Sequence, residues 1–126
     1  MKFSVCFLGS LIFKLFIDLK KQMCGFGGII SFYLYTYINI NKFLNDLQII
    51  YVTVSLGSAE TLIQQPYNMT HYDLTKEERE NLNITPHLIR LSIGLEDYND
   101  IYNDINNSLN LNQVTEASLW NLVCVF

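Results

Sequence analysis

The sequence predicts an α+β fold in which helices pack on one face of a mainly antiparallel sheet. Three observations carry this prediction. Short β-branched runs with period-two alternation predict strands. Stretches with apolar residues three or four positions apart predict helices. The two kinds of stretch are mixed along the chain without the strict alternation that is typical of a parallel sheet.

Three strands are predicted. Residues 29–34 form an apolar run, and residues 49–55 are rich in Ile, Val, Thr and Tyr. In the third strand, residues 88–94, Arg90 and Ser92 share one face, and the intervening isoleucines and leucine share the other. A sheet of three or four strands is therefore expected.

Two longer amphipathic helices are predicted. Residues 39–47 carry an apolar stripe. Residues 98–109 place Ile101, Ile105 and Leu109 at four-residue spacing. One face of each helix is expected to pack on the sheet.

Two shorter helices are predicted from capping signals. Ser58 has the side chain of an N-cap for a helix over residues 59–64, and Pro66 would end that helix. Thr75 would cap another helix, because Glu78 stands three residues later and favours the positive end of a helix.

Composition narrows the class of protein. A chain of 126 residues, half of them apolar, is expected to form one domain with a modest core. The net charge of −4 and the lack of a basic patch argue against nucleic acid. Three widely spaced cysteines, Cys6, Cys24 and Cys124, fit neither a disulfide framework nor a metal site. They favour a reducing compartment and a cytoplasmic location.

The two ends of the chain differ from its middle. Residues 1–19 are strongly apolar and imitate a secretory signal, but Lys14 and Asp18 interrupt them and no small-x-small cleavage site is clear. The run is too short and too interrupted for a membrane span. A divergent start, such as an aberrant exon, is the favoured interpretation over a true signal or anchor. Residues 110–126 are expected to be a divergent tail.

Three motifs occur in order along the middle of the chain. They are VSLGSAETLIQQP over residues 54–66, MTH over residues 69–71 and LIRLSIGLED over residues 88–97. Together they resemble the C-terminal part of the pyridoxal-phosphate-dependent Cys/Met metabolism enzymes, which include methionine γ-lyases and cystathionine γ-lyases. The resemblance covers residues 20–109, and it implies the small C-terminal domain of a fold-type I pyridoxal-phosphate enzyme.

The resemblance implies a site for the carboxylate of an amino-acid substrate. Arg90 would clamp the α-carboxylate with its planar fork, and Ser55 would assist. Val54 and Thr70 would line the substrate pocket. From the strand pattern alone, the favoured interpretation of Arg90 is a partner of a structural carboxylate such as Glu96 or Asp97, and the motif is what favours the clamp.

Val54 bears on the choice of substrate. Cystathionine-processing members usually carry Glu directly before the Ser-Leu-Gly motif, whereas an apolar residue resembles methionine γ-lyases. A hydrophobic pocket wall favours a thioether tail over a second polar amino acid. The favoured function is a methionine γ-lyase-like carbon–sulfur lyase, with a cystathionine γ-lyase or γ-synthase type as the alternative.

The resemblance implies pyridoxal phosphate as cofactor, held by a lysine Schiff base in a large domain that precedes this segment in the family. None of the six lysines stands in the expected Ser-x-Thr-Lys context. No catalytic, cofactor-binding or metal-binding residue is therefore assigned. The chain is expected to be a fragment that is inactive alone, or a non-catalytic interaction module derived from the family. Family members are homotetramers, so the fragment would aggregate or dock on a full-length relative.

Overall fold

The computed structural model describes residues 27–112 and the backbone of residues 123–125. The strands in this part of the chain are β1 (Ile29–Tyr33), β2 (Tyr51–Val52), β3 (Leu62–Gln64), β4 (Leu88–Ser92) and β5 (Val123–Val125). The helices are α1 (Ile40–Asn45), α2 (Pro66–Met69), α3 (Lys76–Asn81) and α4 (Tyr98–Leu111). The interpretations of residues 1–19, of Cys6 and Cys24 and of most of the tail lie outside the described residues.

The described strands form one mixed sheet in the order β2-β3-β4-β1-β5. β4 lies between β3 and β1 and is antiparallel to both, and β5 is antiparallel to β1. β2 and β3 are parallel, so the expectation of a mainly antiparallel sheet needs correction at this edge. Both strands are very short, so the nine residues 53–61 are enough to return the chain from the end of β2 to the beginning of β3. β5 adds a strand beyond the three or four expected, and it comes from the segment expected to be a divergent tail.

The predicted helix over residues 59–64 is wrong. Residues 62–64 form β3, which pairs with β2 on one side and with β4 on the other. Leu62, Ile63 and Gln64 are all buried, which a central strand of a covered sheet requires. Pro66 does not end a helix but occupies the first turn of α2, where its missing N–H costs nothing.

The hydrophobic core lies between one face of the sheet and helices α1 and α4. Ile89 in β4 and Ile63 in β3 are fully buried at its centre, and Phe43 of α1 is also inaccessible to solvent. Ile101 and Leu109 of α4 complete the layer and Ile105 packs against it, as the four-residue spacing of the three predicts. The period-two alternation of β4 therefore separates a core face from a second face, which carries Arg90.

The second predicted strand, over residues 49–55, is reduced to Tyr51–Val52, and the side chain of Asp104 takes the backbone donors just before it. Asp104 of α4 accepts the N–H groups of Gln48 (2.8 Å), Ile49 (2.9 Å) and Ile50 (3.0 Å). These three donors are thus removed from any strand ladder. Asp104 is itself 6% exposed, so its carboxylate joins the start of β2 to the middle of α4.

The capping signal at Thr75 is confirmed. Its side chain accepts from the N–H of Glu78, and the Glu78 carboxylate accepts from the N–H of Thr75 at 2.8 Å. This reciprocal pair is a capping box and begins α3 at Lys76. None of the residues of α3 is buried, so this helix is supported by its capping box and by Arg79, which donates to the carbonyl of Tyr67 at 3.0 Å.

Candidate functional site

Strand β4 presents Arg90 on the face of the sheet that points away from the core. Its neighbours Ile89 and Leu91 are 0% and 4% exposed on the core face, whereas Arg90 is half-buried on the other. In the sheet, Arg90 lies directly opposite Ser31 of β1 and Gln64 of β3. Side chains that face each other across antiparallel strands share one face, so this face has a polar row with a cation at its centre.

The two acids that could have neutralised Arg90 as a structural pair have other partners. Glu96 accepts the N–H of Thr61 at 2.7 Å and the hydroxyl of Thr61 at 2.6 Å. Asp97 caps α4 by accepting the N–H of Asn99 at 2.8 Å. Arg90 makes no ion pair with any carboxylate of residues 27–112, where the ion pair is Lys76–Glu80. Its guanidinium is thus available to an anion as far as this part of the chain is concerned.

The turn that contains Val54 and Ser55 is tied to the same strand. The N–H of Gly57 donates to the hydroxyl of Ser92 at 2.9 Å, across 35 positions of sequence. Gly57 has φ +72, a left-handed conformation that favours glycine. Val54 and Ser55 are exposed just before it. The structure therefore ties the Ser-Leu-Gly motif to strand β4 through Gly57, while among the described residues no hydrogen bond joins Ser55 to Arg90.

A second set of hydrogen bonds holds the rest of the connection between β2 and β3, residues 53–61, to the residues that follow β4. The hydroxyl of Thr61 accepts the N–H of Gly94 at 2.9 Å and donates to Glu96. The N–H of Leu95 donates to the carbonyl of Ala59 at 2.7 Å. The chain at residue 94 has no room for a side chain, because a Cβ there would overlap Ala59 and the backbone of Glu60. A glycine is thus required where the two segments meet.

Hydrogen bonding sets the acidity of Glu96. The Thr61 hydroxyl, and after it the Thr61 backbone N–H, lowers the pKa of the Glu96 carboxyl below its ordinary value. The carboxylate form is therefore the one that holds the connection in place. A similar contact from the hydroxyl of Ser58 lowers the pKa of Glu60 nearby.

Thr70 stands apart from these contacts. It ends α2, where its N–H donates to the carbonyl of Pro66, and its hydroxyl lies 2.8 Å from Nδ1 of His71. Helix α2 packs against β4, the strand that carries Arg90. Within the described residues, no hydrogen bond joins Thr70 to Arg90 or Ser55.

Two further polar residues lie on the face of the sheet that carries Arg90, and the sequence alone does not mark them as candidate site residues. Ser92 is 3% exposed and accepts from Gly57, but its role depends on a loop whose path the sequence does not reveal. Gln64 is 1% exposed and lies opposite Arg90, and both polar atoms of its amide lack a hydrogen-bond partner among the described residues. Gln64 was hidden by the wrong helix prediction, since only a strand places it beside Arg90.

The described residues do not supply a lysine that could hold pyridoxal phosphate at this site. Lys42 of α1 donates to the carbonyl of Leu111 at 3.2 Å, and Lys76 of α3 pairs with Glu80. Residues 27–112 also contain no cluster of three or more histidine, cysteine, aspartate or glutamate side chains that could bind a metal. In the same part of the chain, no helix is both long and apolar enough to cross a membrane.

Comparison with known proteins gives a consistent set of relatives. L-methionine gamma-lyase of Fusobacterium nucleatum subsp. polymorphum is 50% identical over 91 residues, which are 71% of this chain and 23% of that protein. Cystathionine gamma-lyase of Bacillus subtilis is 42% identical over 90 residues, which are 71% of this chain and 24% of that protein. The chain thus spans about a quarter of the length of these curated relatives.

A solved structure has the same fold over this segment. It is cystathionine gamma-lyase from Lactobacillus plantarum complexed with L-serine, with a TM-score of 0.73 and 38% identity, covering 77% of this chain and 26% of that one. The family described as Cys/Met metabolism PLP-dependent enzyme matches residues 14–110, which is most of the chain. The family match, the curated relatives and the solved structure all indicate the same family. The chain belongs to the pyridoxal-phosphate-dependent enzymes of Cys/Met metabolism.

Proposed function

We propose that this chain is the substrate-carboxylate-binding segment of a carbon–sulfur lyase that acts on sulfur amino acids, most similar to methionine γ-lyase. The observation that carries the proposal is Arg90, a half-buried cation on the outer face of the sheet without an ion pair among the described residues. A guanidinium offers two parallel N–H donors that match a carboxylate. The relative from Lactobacillus plantarum was solved with L-serine, an amino acid that carries such a carboxylate.

The neighbouring residues have distinct roles in this proposal. Ser55 assists Arg90 from the exposed turn that Ser92 holds against β4. Thr70 and Val54 line the pocket for the side chain of the substrate. Orienting an amino acid in this way lowers the barrier of a reaction by several kcal/mol in favourable cases, about 7–11 kcal/mol at most. When bound in enzymes of this family, pyridoxal phosphate supplies the electron sink.

A cystathionine-processing enzyme is the alternative, because relatives with both activities match the chain. A methionine-processing and a cystathionine-processing enzyme need pocket walls of different polarity around the substrate side chain. Val54 is 55% exposed in this chain, so its side chain is free to face a substrate or a neighbouring segment. An apolar wall there supports methionine over cystathionine, whose far end is a second polar amino acid.

A chimera tests both the clamp and the substrate preference. Residues 27–112 replace the matching segment of the Fusobacterium nucleatum methionine gamma-lyase, and the chimera is assayed with methionine and with cystathionine. Arg90→Ala is expected to lower kcat/KM about 30-fold to several thousand-fold, since losing one partner of a charged pair costs about 2–5 kcal/mol. Arg79→Lys is the matched control, because Arg79 packs over the ring of Tyr67 and serves the fold.

The two readouts of the chimera decide separate points. An active chimera in which Arg90→Ala leaves kcat/KM unchanged contradicts the clamp. An active chimera that prefers cystathionine makes the interpretation of Val54 wrong, and Val54→Glu is expected to shift preference in that direction when the interpretation is right.

A non-catalytic interaction module is the second candidate function, favoured by an exposed apolar edge of the sheet. Tyr51 and Val52 of edge strand β2 are 62% and 43% exposed, and Leu56 nearby is 50% exposed. Apolar edges of this kind bind partners or aggregate. Co-purification with full-length methionine gamma-lyase would support docking, whereas a monodisperse chain that ignores the full-length enzyme would contradict it. The cysteine pattern supports the cytoplasm as its location.

A further inference from the structure

The hydroxyl of Ser92 is the contact that joins the Ser-Leu-Gly turn to the strand of Arg90. Ser92 is 3% exposed, and its oxygen accepts the N–H of Gly57 at 2.9 Å. Ser92 stands two residues after Arg90, so both side chains project from the same face of β4. One hydrogen bond thus ties the exposed turn to the strand that carries the guanidinium.

We propose that Ser92 is a positioning residue of the carboxylate site, which acts by holding Ser55 in register with Arg90. The proposal rests on the carboxylate-binding function proposed above. Val54, Ser55 and Leu56 are exposed and belong to no strand or helix, so packing does little to order them. Ordering such a turn before a ligand arrives reduces the entropic cost of binding.

The remaining contacts of the connection make the effect of Ser92 local. Leu95 and Gly94 bind Ala59 and Thr61, which hold the far end of the connection. These hydrogen bonds do not involve Ser92. Its loss should therefore release the end that carries Ser55 while the sheet and the far end remain in place.

The experiment uses the full chain, isotope-labelled for NMR, with L-methionine as the probe. The chain has two arginines, so Arg90 and Arg79 give two side-chain Nε–H signals that can be followed separately. In the wild-type chain, L-methionine is expected to shift the signal of Arg90 and the amide of Ser55. Arg79 should not respond, because it binds the carbonyl of Tyr67 and stacks on that ring. Methylthiopropylamine, which lacks the carboxylate, should leave all these signals unchanged.

Three variants isolate the hydroxyl of Ser92. Ser92→Ala is expected to speed hydrogen exchange at the Gly57 amide and to raise the Kd for L-methionine about tenfold, or about 1.4 kcal/mol. Ser92→Thr keeps the acceptor and should restore wild-type values. Ser108→Ala is the matched control, since Ser108 is a buried serine whose hydroxyl donates to the carbonyl of Phe43 on the core side. It should lower stability and leave the Kd unchanged.

The outcomes separate this proposal from the function on which it rests. An unchanged Gly57 exchange rate in Ser92→Ala, or an unchanged Kd beside a faster exchange rate, overturns the positioning role while the wild-type response upholds the carboxylate site. A wild-type chain in which neither Arg90 nor Ser55 responds to L-methionine overturns the carboxylate site itself and the role of Ser92 with it. An equal rise of Kd in Ser108→Ala would show that lost stability explains the effect, and this also overturns the proposal.

Discussion

Replacing Asp104 by alanine should destabilise the chain more than any exposed substitution. The Asp104 carboxylate accepts three successive backbone N–H groups, from Gln48, Ile49 and Ile50. Gln48 and Ile49 are exposed, so water replaces the carboxylate there and each loss costs about 1 kcal/mol. Ile50 is 4% exposed, so its N–H is left without a partner at a cost of about 1–3 kcal/mol. The variant should lose about 3–5 kcal/mol in all.

That loss is a large share of the stability of an ordinary domain, which is about 5–15 kcal/mol. Urea unfolding of wild type and variant measures it, provided the slope of the transition is the same in both. Asp104→Asn keeps one acceptor oxygen and should fall between the two. Asp73→Ala removes an exposed carboxylate and should change the free energy of unfolding by less than about 0.5 kcal/mol.

Hydrogen exchange gives an independent check on the same hydrogen bonds. In Asp104→Ala, the amides of Gln48, Ile49 and Ile50 should exchange faster than in wild type, even at urea concentrations where the variant stays folded. A destabilisation under about 1 kcal/mol with unchanged protection at these three amides would refute the reasoning.

Three further predictions concern the end of β4 and helix α3. Gly94→Ala should cost about 1–3 kcal/mol in urea unfolding, because the new Cβ would lie 2.5 Å from backbone of Glu60 that cannot move freely, and a wild-type midpoint would contradict this. The lowered pKa of Glu96 contributes stability that is full above its ordinary value of 4.5 and is lost as the pH falls through the folded-state pKa. The urea midpoint should therefore fall less steeply from neutral to acidic pH in Glu96→Gln than in wild type. Equal slopes in the two proteins would count against a stabilising role of the Glu96 carboxylate. Thr75→Ala removes the capping box with Glu78 and should cost about 1 kcal/mol, with lost helicity confined to α3 by NMR chemical shifts.

Local signals in the sequence were enough to place the elements that depend on near neighbours. The alternation around Arg90 predicted β4 and its two faces, and the spacing of Ile101 and Leu109 predicted α4. The capping box at Thr75 was equally local. In each case the residues that decide the structure lie within a few positions of one another, so a period or a cap could reveal them.

The failures all involve partners far away in the sequence. Residues 62–64 become a strand because β2 and β4 flank them, and nothing in a short apolar run distinguishes this from a helix. The strand predicted from residue 49 begins only at Tyr51, because Asp104, more than 50 positions away, takes the N–H groups of Ile49 and Ile50. The hydrogen bond between Ser92 and Gly57 spans 35 positions and could not be predicted for the same reason. Arg90 could be named from a motif, but the hydrogen bond that ties the turn to β4 could not.

The parallel pairing of β2 and β3 fixes the number of residues that can connect these two strands. Residues 53–61 must turn, meet Ser92 of β4 through Gly57, meet Leu95 beyond the end of β4 through Ala59, and then enter β3 with Ile63 opposite Val52. Removing or adding one residue between these points would break at least one of these contacts. In the exposed segment over residues 70–83, Arg79 donates to the carbonyl of Tyr67 and the Tyr33 hydroxyl donates to the carbonyl of Asn83. Residues 72–75 of that segment make only local hydrogen bonds, and loops of many lengths can join antiparallel strands. Length variation during evolution should therefore collect at residues 72–75 and avoid residues 53–61.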